Sequence, residues 1–413
     1  MSSPAALGSR SRRNAHDVAI VGAGMVGAAL ALELAQDGFD VAVIESRAPS
    51  PWHAEDDVDL RVVALAPSSV QLLQGVGVWS SIAAARAAPY RRMQVWDALA
   101  PGSLGFDSAD DGAAVLGWIV ENKLIQDRLW QTLGAGRIAL HCPARVDTTR
   151  IDGARRILEL DDGQSVPARL VVAADGGDSA LREQVGIATR VRDYGQRAIV
   201  AHVITERPHE ETAWQRFLPG ATIAFLPLGD GQSVSATQAL GHRCSIVWSV
   251  PEAEAARLLA LGDEAFCAEL GAAFDFRLGT ICATTQRAAF PLRLRLAERY
   301  LAPHFALAGD AAHVVHPLAG QGVNLGLRDA AELADAVGAA RAAGRDFAAE
   351  SSLRRYERRR RSDNALSANA FDAIQRVFGS TAMPLAALRG AGLALVDAIV
   401  PLKRAFARHA AGR

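Results

Sequence analysis

Lysine is almost missing: Lys123 and Lys403 are the only two in 413 residues, and arginine carries the rest of the basic charge. Alongside so much alanine, this reads as a compositional habit of the source genome, not as phosphate recognition. Cysteine is scarce too, and Cys142, Cys244, Cys267 and Cys282 include no C-x-x-C pair. That spacing gives no support for a metal site, an iron–sulfur cluster or a redox disulfide, and suits reduced thiols in a cytosolic protein. No run of 18 uncharged apolar residues occurs, so no membrane-spanning helix is expected. Residues 1–16 lack an apolar core of signal-peptide length and are predicted to be a disordered tail. A net charge of −1 gives no reason to expect a nucleic-acid partner. No G-x-S-x-G, H-E-x-x-H or Walker motif stands in a supportive context, and there is no internal repeat.

What is present is a half-hydrophobic chain long enough for one large core or two smaller ones. Asp17 to Val21 reads as a short buried strand, followed by Gly22, Gly24 and Gly27 in the order G-x-G-x-x-G. Gly22 permits a tight turn and Gly24 lets the backbone approach a pyrophosphate. Gly27, with Ala31 one turn later, lets the ensuing helix lie close on a sheet. That helix is expected to end near Asp37-Gly38, and a second strand, Val41–Ile44, runs into Glu45. An acidic residue at this distance holds a ribose hydroxyl and would repel a 2′-phosphate, so FAD or NAD fits better than NADP.

Two further islands follow. Leu170–Ala173 is an apolar strand leading into Ala174-Asp175-Gly176-Gly177-Asp178-Ser179, with Arg182 beyond. Alone, this is a glycine turn capped by Asp178 or Ser179. Phe305–Ala308 is another strand end, and Asp310 sits at its tip, where a carboxylate needs a hydrogen-bonding partner such as a ribityl chain. Pro317 and the turn Ala319-Gly320-Gln321-Gly322 open a long helix towards Val337. Its first turn offers unpaired N–H groups to an electron-rich ring.

In this order and spacing the three islands resemble the flavin-dependent aromatic hydroxylases typified by para-hydroxybenzoate hydroxylase. Arg61 with Val63-Ala64-Leu65 and Ser68, Gly77-Val78-Trp79, Met93 to Ala98, Val120-Glu121-Asn122 and His316 to Asn324 narrow the likeness to the flavin hydroxylases of ubiquinone biosynthesis. It extends over nearly the whole chain. The resemblance implies an α/β fold: a Rossmann-like FAD-binding domain, an inserted, mainly antiparallel substrate sheet and a C-terminal helical segment. It implies that FAD is held by Gly22, Ala23, Gly24, Met25, Val26, Gly27 and Glu45 at the ADP end, and by Asp175 and Gly176 near the pyrophosphate. Asp310, Gly320, Gln321, Gly322, Val323 and Asn324 would hold the ribityl chain and ring. By position, Asn122 matches an amide residue that contacts FAD and Arg61 an arginine near it, with Arg128 one helical turn beyond the Asn122 segment. Pro317 would line the pocket beside the ring. His316 and His313 are acid–base candidates for activating a phenolic hydroxyl, although a histidine at a strand–helix junction often only braces backbone.

The implied chemistry is transfer of oxygen from a flavin C4a-hydroperoxide to an electron-rich ring, with O2 and NAD(P)H or another donor as co-substrates. A single G-x-G-x-x-G argues against a reductase with two nucleotide domains. The halogenase signature W-x-W-x-I-P is missing, with only a superficial echo at Gly117-Trp118-Ile119-Val120. The expected substrate is a polyprenyl phenol or quinol. A soluble aromatic compound, and a non-catalytic FAD-binding subunit of a biosynthetic complex, are the alternatives.

The FAD-binding domain is expected to be assembled from residues 17–87, 118–186 and 285–345. Residues 88–117 and 187–284 would form the substrate domain, and residues 346–413 a helical region. Arg354 to Arg361 holds six arginines in eight residues and is expected to be a solvated helix face, with an acidic partner or lipid head group as the other reading. Leu385–Val400, followed by Lys403, Arg404 and Arg408, either docks on the enzyme's own body or touches the membrane or a partner. The expected location is cytoplasmic, with a peripheral contact at the inner membrane as the open question.

Overall fold

Residues 15–99, 102–229, 241–315 and 321–379 are described by a computed structural model. His16–Val21 is fully buried over its last four residues and pairs in parallel with Val41–Ile44 on one side and Ser165–Ala173 on the other. Ala139–His141 continues the sheet beyond Val41–Ile44, and Phe305–Leu307 beyond Ser165–Ala173, again in parallel. Parallel strands are covered on both faces, which is why these segments read as unbroken apolar runs. Among these five parallel strands of the eight-stranded sheet, numbered in chain order, the order across is third, second, first, fourth and fifth. The order reverses at His16–Val21, and ligands of open α/β sheets bind outside the carboxyl ends of strands at such a switch point. All three motif islands lie there: Gly22 after Val21, Asp175 after Ala173 and Asp310 after Leu307.

The helix Met25–Gln36 covers this sheet through Gly27, Ala28, Ala29, Ala31 and three leucines. A second helix, Gln321–Ala342, lies against it. The approach is close at Gly326, where a Cβ would come 2.6 Å from Val26 Cγ2 and 3.3 Å from Gly309 Cα. Glu33 sits at this contact, and burial, then Asp335 and Asp37, raise its carboxyl to about 7. A carboxyl whose pKa is raised by folding costs stability above its folded value and not below its unfolded one. Glu33→Gln is therefore expected to stabilise the protein at pH 8, with the gain fading as pH falls from about 7 towards 4.5. Solvent screening of this half-buried group reduces the gain to on the order of 1 kcal/mol. Thermal melts of both proteins at pH 5 and pH 8 measure it; an equal difference at both pH values would refute it.

A nine-stranded sheet forms the second layer. One face, with Ile199, Ile223, Phe225, Ile246 and Trp248, packs on the helices Glu252–Leu259 and Asp263–Ala273. The opposite face meets a three-stranded sheet of Val62–Leu65, Gly117–Glu121 and Ala87–Tyr90, through Ala213 and Leu226 against Ala64, Ala88 and Ile119. The large sheet is antiparallel as expected, except that Thr212–Leu218 runs parallel to Arg92–Asp97. Ala288–Ala297 and His313–Val314 are strands of this sheet, although the sequence groups residues 285–345 with the FAD-binding pieces. Residues 88–90, grouped with the substrate pieces, belong instead to the three-stranded sheet.

The helix Glu350–Gly379 closes the described chain. Arg354, Arg355, Arg358, Arg359 and Arg361 are exposed as expected, but Arg360 is buried, which corrects the reading of the run as one solvated face. Residues 354–361 outnumber one face of a helix, so one arginine must turn inward. Leu385–Val400, Lys403, Arg404 and Arg408 lie outside the described residues. Among the described residues no helix is long and apolar enough to cross a membrane.

Candidate cofactor and active site

Backbone geometry explains the glycines at the first turn. Gly22 has φ +98°, and a Cβ there would collide with the Ala174 backbone. A Cβ on Gly27 would collide with the Gly22 carbonyl, whereas one on Gly24 would meet nothing within 4 Å. The space beside Gly24 is therefore open on the side a ligand would take. No side chain caps the helix that starts at Met25, so the N–H groups of Met25, Val26 and Gly27 offer an anion site. Glu45 Oε2 accepts from the Ala23 N–H at 2.6 Å, while Oε1 accepts from Ser46 Oγ and the Arg47 N–H. The carboxylate thus fixes the turn from the neighbouring strand end.

Asp175 lies beside this turn. Burial raises its carboxyl above the usual range, against the opposing hydrogen bonds from Ser179 and Leu181 and the charge of Arg182. Its Oδ1 is buried with no hydrogen-bond partner among the described residues, a place for a donor from a bound group. Gly176 has φ +89° and open space where a side chain would be. Ser179 caps the helix Ala180–Gln184 by accepting from the Arg182 N–H at 3.0 Å. The buried Arg182 then donates to both Gly177 O and Ala311 O at 2.9 Å, tying the second island to the third. Nothing in the sequence but proximity to Ser179 singled out this role.

Gly309 turns with φ +63°, and Asp310 projects from that turn with its residue surface exposed. Dehydration by the surrounding protein raises its carboxyl, opposed by His313 and Arg61. Arg61 is exposed, lies 5.8 Å from the Phe290 ring centroid, and accepts the Asn122 N–H on its carbonyl at 2.9 Å. The Asn122 side chain is buried with Oδ1 unpartnered among the described residues, an orphaned acceptor like Asp175 Oδ1. Arg128 pairs with Asp127 at 2.8 Å and lies over Trp52.

On the helix Gln321–Ala342, Gly322 has open space around a would-be Cβ and Val323 is half-buried. Asn324 is fully buried, and its side chain is spent on protein: Oδ1 accepts from the Ala66 N–H and Ser69 Oγ, and Nδ2 donates to Ala64 O. Its side chain thus joins the helix to the segment Ala64–Ser69. His313 is 1% exposed with Nε2 2.6 Å from Asp329 Oδ2, the brace at a strand–helix junction rather than a group facing substrate. His316, Pro317 and Gly320 lie outside the described residues, as does the Gln321 side chain.

A family profile described as FAD binding domain matches residues 15–367. The chain belongs to this family and is an FAD-dependent monooxygenase of the aromatic-hydroxylase class. Its relatives place it more narrowly. It is 38% identical over 397 residues to the 3-demethoxyubiquinol 3-hydroxylase of Escherichia coli K12, covering 96% of this chain and 98% of that protein. It is 40% identical to the ubiquinone hydroxylase UbiL of Rhodospirillum rubrum, over 96% of this chain and 89% of the other. It is 34% identical to the human mitochondrial ubiquinone biosynthesis monooxygenase COQ6, over 94% and 91%. The chain is thus a member of the ubiquinone-biosynthesis hydroxylase family. Among solved structures, PqsL of Pseudomonas aeruginosa, a probable FAD-dependent monooxygenase, superposes with a TM-score of 0.73 at 23% identity over 92% of this chain and 99% of that one. The p-nitrophenol 4-monooxygenase PnpA of Pseudomonas putida gives 0.74 at 18% identity, over 97% and 99%. At those identities the likeness concerns the fold.

Proposed function

We propose that the enzyme hydroxylates the aromatic ring of a polyprenyl phenol or benzoquinol intermediate of ubiquinone biosynthesis. The observation that carries this reading is the near end-to-end identity, 38–40%, with two bacterial ubiquinone hydroxylases. One oxygen atom of O2 enters a ring C–H bond as hydroxyl and the other leaves as water, with two electrons from NAD(P)H or another donor. Bound FAD supplies the oxygen chemistry; the protein binds, orients and excludes water.

In this reading Gly22 to Gly27 and Glu45 hold the ADP half, Asp175 and Gly176 face the pyrophosphate, and Asp310 holds the ribityl chain. Arg61 and Asn122 flank the cofactor, and the first turn of the helix Gln321–Ala342 offsets negative charge on the ring. Arg128 acts through Asp127 and Trp52. The substrate wall is the sheet face away from the helices, where the half-buried Val200, Val247 and Ala224 lie side by side by strand register. Such a wall suits a ring with a hydrocarbon tail. Each tail CH2 costs about 0.8 kcal/mol to expose to water, so the substrate is taken at a membrane surface or from a carrier complex. Leu385–Val400 with Lys403, Arg404 and Arg408 is the segment assigned to that contact.

The test is a deletion strain and a purified enzyme. The strain is expected to accumulate one hydroxylation-deficient quinone precursor. The enzyme with NAD(P)H is expected to convert a short-chain prenyl phenol to a product one oxygen heavier, labelled by 18O2. Normal quinone in the strain, with NAD(P)H oxidation stimulated only by soluble phenols, would reassign the substrate.

A further inference from the structure

The turn Gly309–Asp310 is held from below by one buried carboxylate. Asp329, on the helix Gln321–Ala342, is fully buried and is met from two sides. Its Oδ2 accepts from the Gly309 N–H at 2.9 Å and from His313 Nε2 at 2.6 Å. Its Oδ1 accepts from Arg360 Nε at 2.7 Å and Asn364 Nδ2 at 3.3 Å. A buried carboxylate is stable only with such charge-assisted bonds. Burial alone would raise it, yet His313 and Arg360 hold it below the usual carboxylate range.

The partners on the C-terminal helix follow a helical repeat. Tyr356, Arg360 and Asn364 stand four residues apart and so share one face. Tyr356 Oη donates to Leu307 O at 2.6 Å, at the end of the strand that feeds the turn. Asn364 Nδ2 also donates to Tyr300 Oη at 3.1 Å, and the Tyr300 ring stacks on His313 at 6.4 Å between centroids. Of this helix face, Tyr356 therefore meets the segment from Leu307 to His313 directly, and Arg360 and Asn364 reach it through Asp329 and Tyr300.

We propose that Asp329 is a positioning residue for the cofactor turn, aiming Asp310 by fixing the Gly309 amide and His313, and that the face Tyr356–Arg360–Asn364 locks Asp329 in place. This rests on the reading that Asp310 holds FAD. A carboxylate serving only as counter-ion to Arg360 would stabilise the fold without affecting the turn, and the two roles separate in a double variant.

The experiment measures FAD dissociation constants by fluorescence quenching on apoprotein, flavin absorption bands and apoprotein melting for Asp329→Asn, Arg360→Gln, the two combined, and Asp310→Ala. Asparagine keeps one acceptor oxygen where two are used, so Asp329→Asn is expected to weaken FAD about tenfold or more. The double variant removes both buried charges, so its melting temperature recovers relative to Asp329→Asn while FAD affinity does not. Wild-type FAD affinity in Asp329→Asn, or affinity restored together with stability in the double variant, overturns the proposal. Should the Asp329 variants fail to fold, His313→Gln, which keeps a donor for Asp329, is expected to retain FAD, and His313→Leu to release it. Equal affinity in that pair also overturns it. If Asp310→Ala keeps FAD, the underlying reading of the turn fails; if it loses FAD while Asp329→Asn does not, only the positioning role fails.

Discussion

Gly24→Val is expected to give a folded protein without flavin. The backbone at Gly24 is extended, with φ −65° and ψ −177°, a conformation valine adopts readily. Beyond its chain neighbours, no atom of the described residues lies within 4 Å of the added Cβ, so the apoprotein should melt within a few degrees of wild type. In the proposed site the same Cβ would occupy the path by which a pyrophosphate reaches the helix N-terminus. Blocking that approach is expected to cost at least about 3 kcal/mol, roughly a hundredfold or more in FAD affinity. Gly27→Val behaves differently, because its Cβ runs into the Gly22 carbonyl and pushes the helix off the sheet. It is expected to lose fold and flavin together. Flavin content per protein, FAD affinity of apoprotein and apoprotein melting distinguish the two variants. Full flavin content in folded Gly24→Val would remove the turn from the cofactor site.

Asp310→Ala should release FAD while leaving the fold intact. Asp310 is exposed at the strand tip, so its removal opens no core cavity. A charge-assisted hydrogen bond to a hydroxyl contributes about 1.5–3 kcal/mol, or about tenfold to a hundredfold in affinity. Asp310→Asn keeps an acceptor and should fall between alanine and wild type. Dehydration by the surrounding protein raises the Asp310 carboxyl above its usual range, so wild-type affinity should weaken on mild acidification as this carboxylate protonates. Asp310→Ala should lack that dependence. Identical pH profiles for the two proteins, measured by FAD titration of apoprotein, would argue that the carboxylate does not touch the cofactor.

The parts of this site that the sequence made readable are those whose cause is local. A positive φ at Gly22 and close packing at Gly27 are demands of one turn and one helix, and both show as glycine at fixed spacing. Glu45 follows its strand directly, and its bond to the Ala23 N–H spans only the first strand–helix–strand unit. The apolar runs that became the parallel strands carry their burial on both faces in their composition.

The supports of the site were not readable in this way. Asn324 was placed with the cofactor, yet its side chain bonds Ala66 and Ser69, 258 and 255 residues away in sequence. Arg360 looked like its exposed neighbours, and Asp329 carried no motif at all. Ala288–Ala297 joined the large sheet although Phe305–Leu307, close by in sequence, joined the parallel one.

By itself the sequence determined the glycine turns, the strand ends they follow and the residues displayed there, because backbone conformation and periodicity are set by near neighbours. Only the tertiary structure decided which strand end adjoins which, and which charges are buried beneath them. Those choices depend on packing between segments hundreds of residues apart, where a lone arginine or aspartate carries no mark of the partner it will meet.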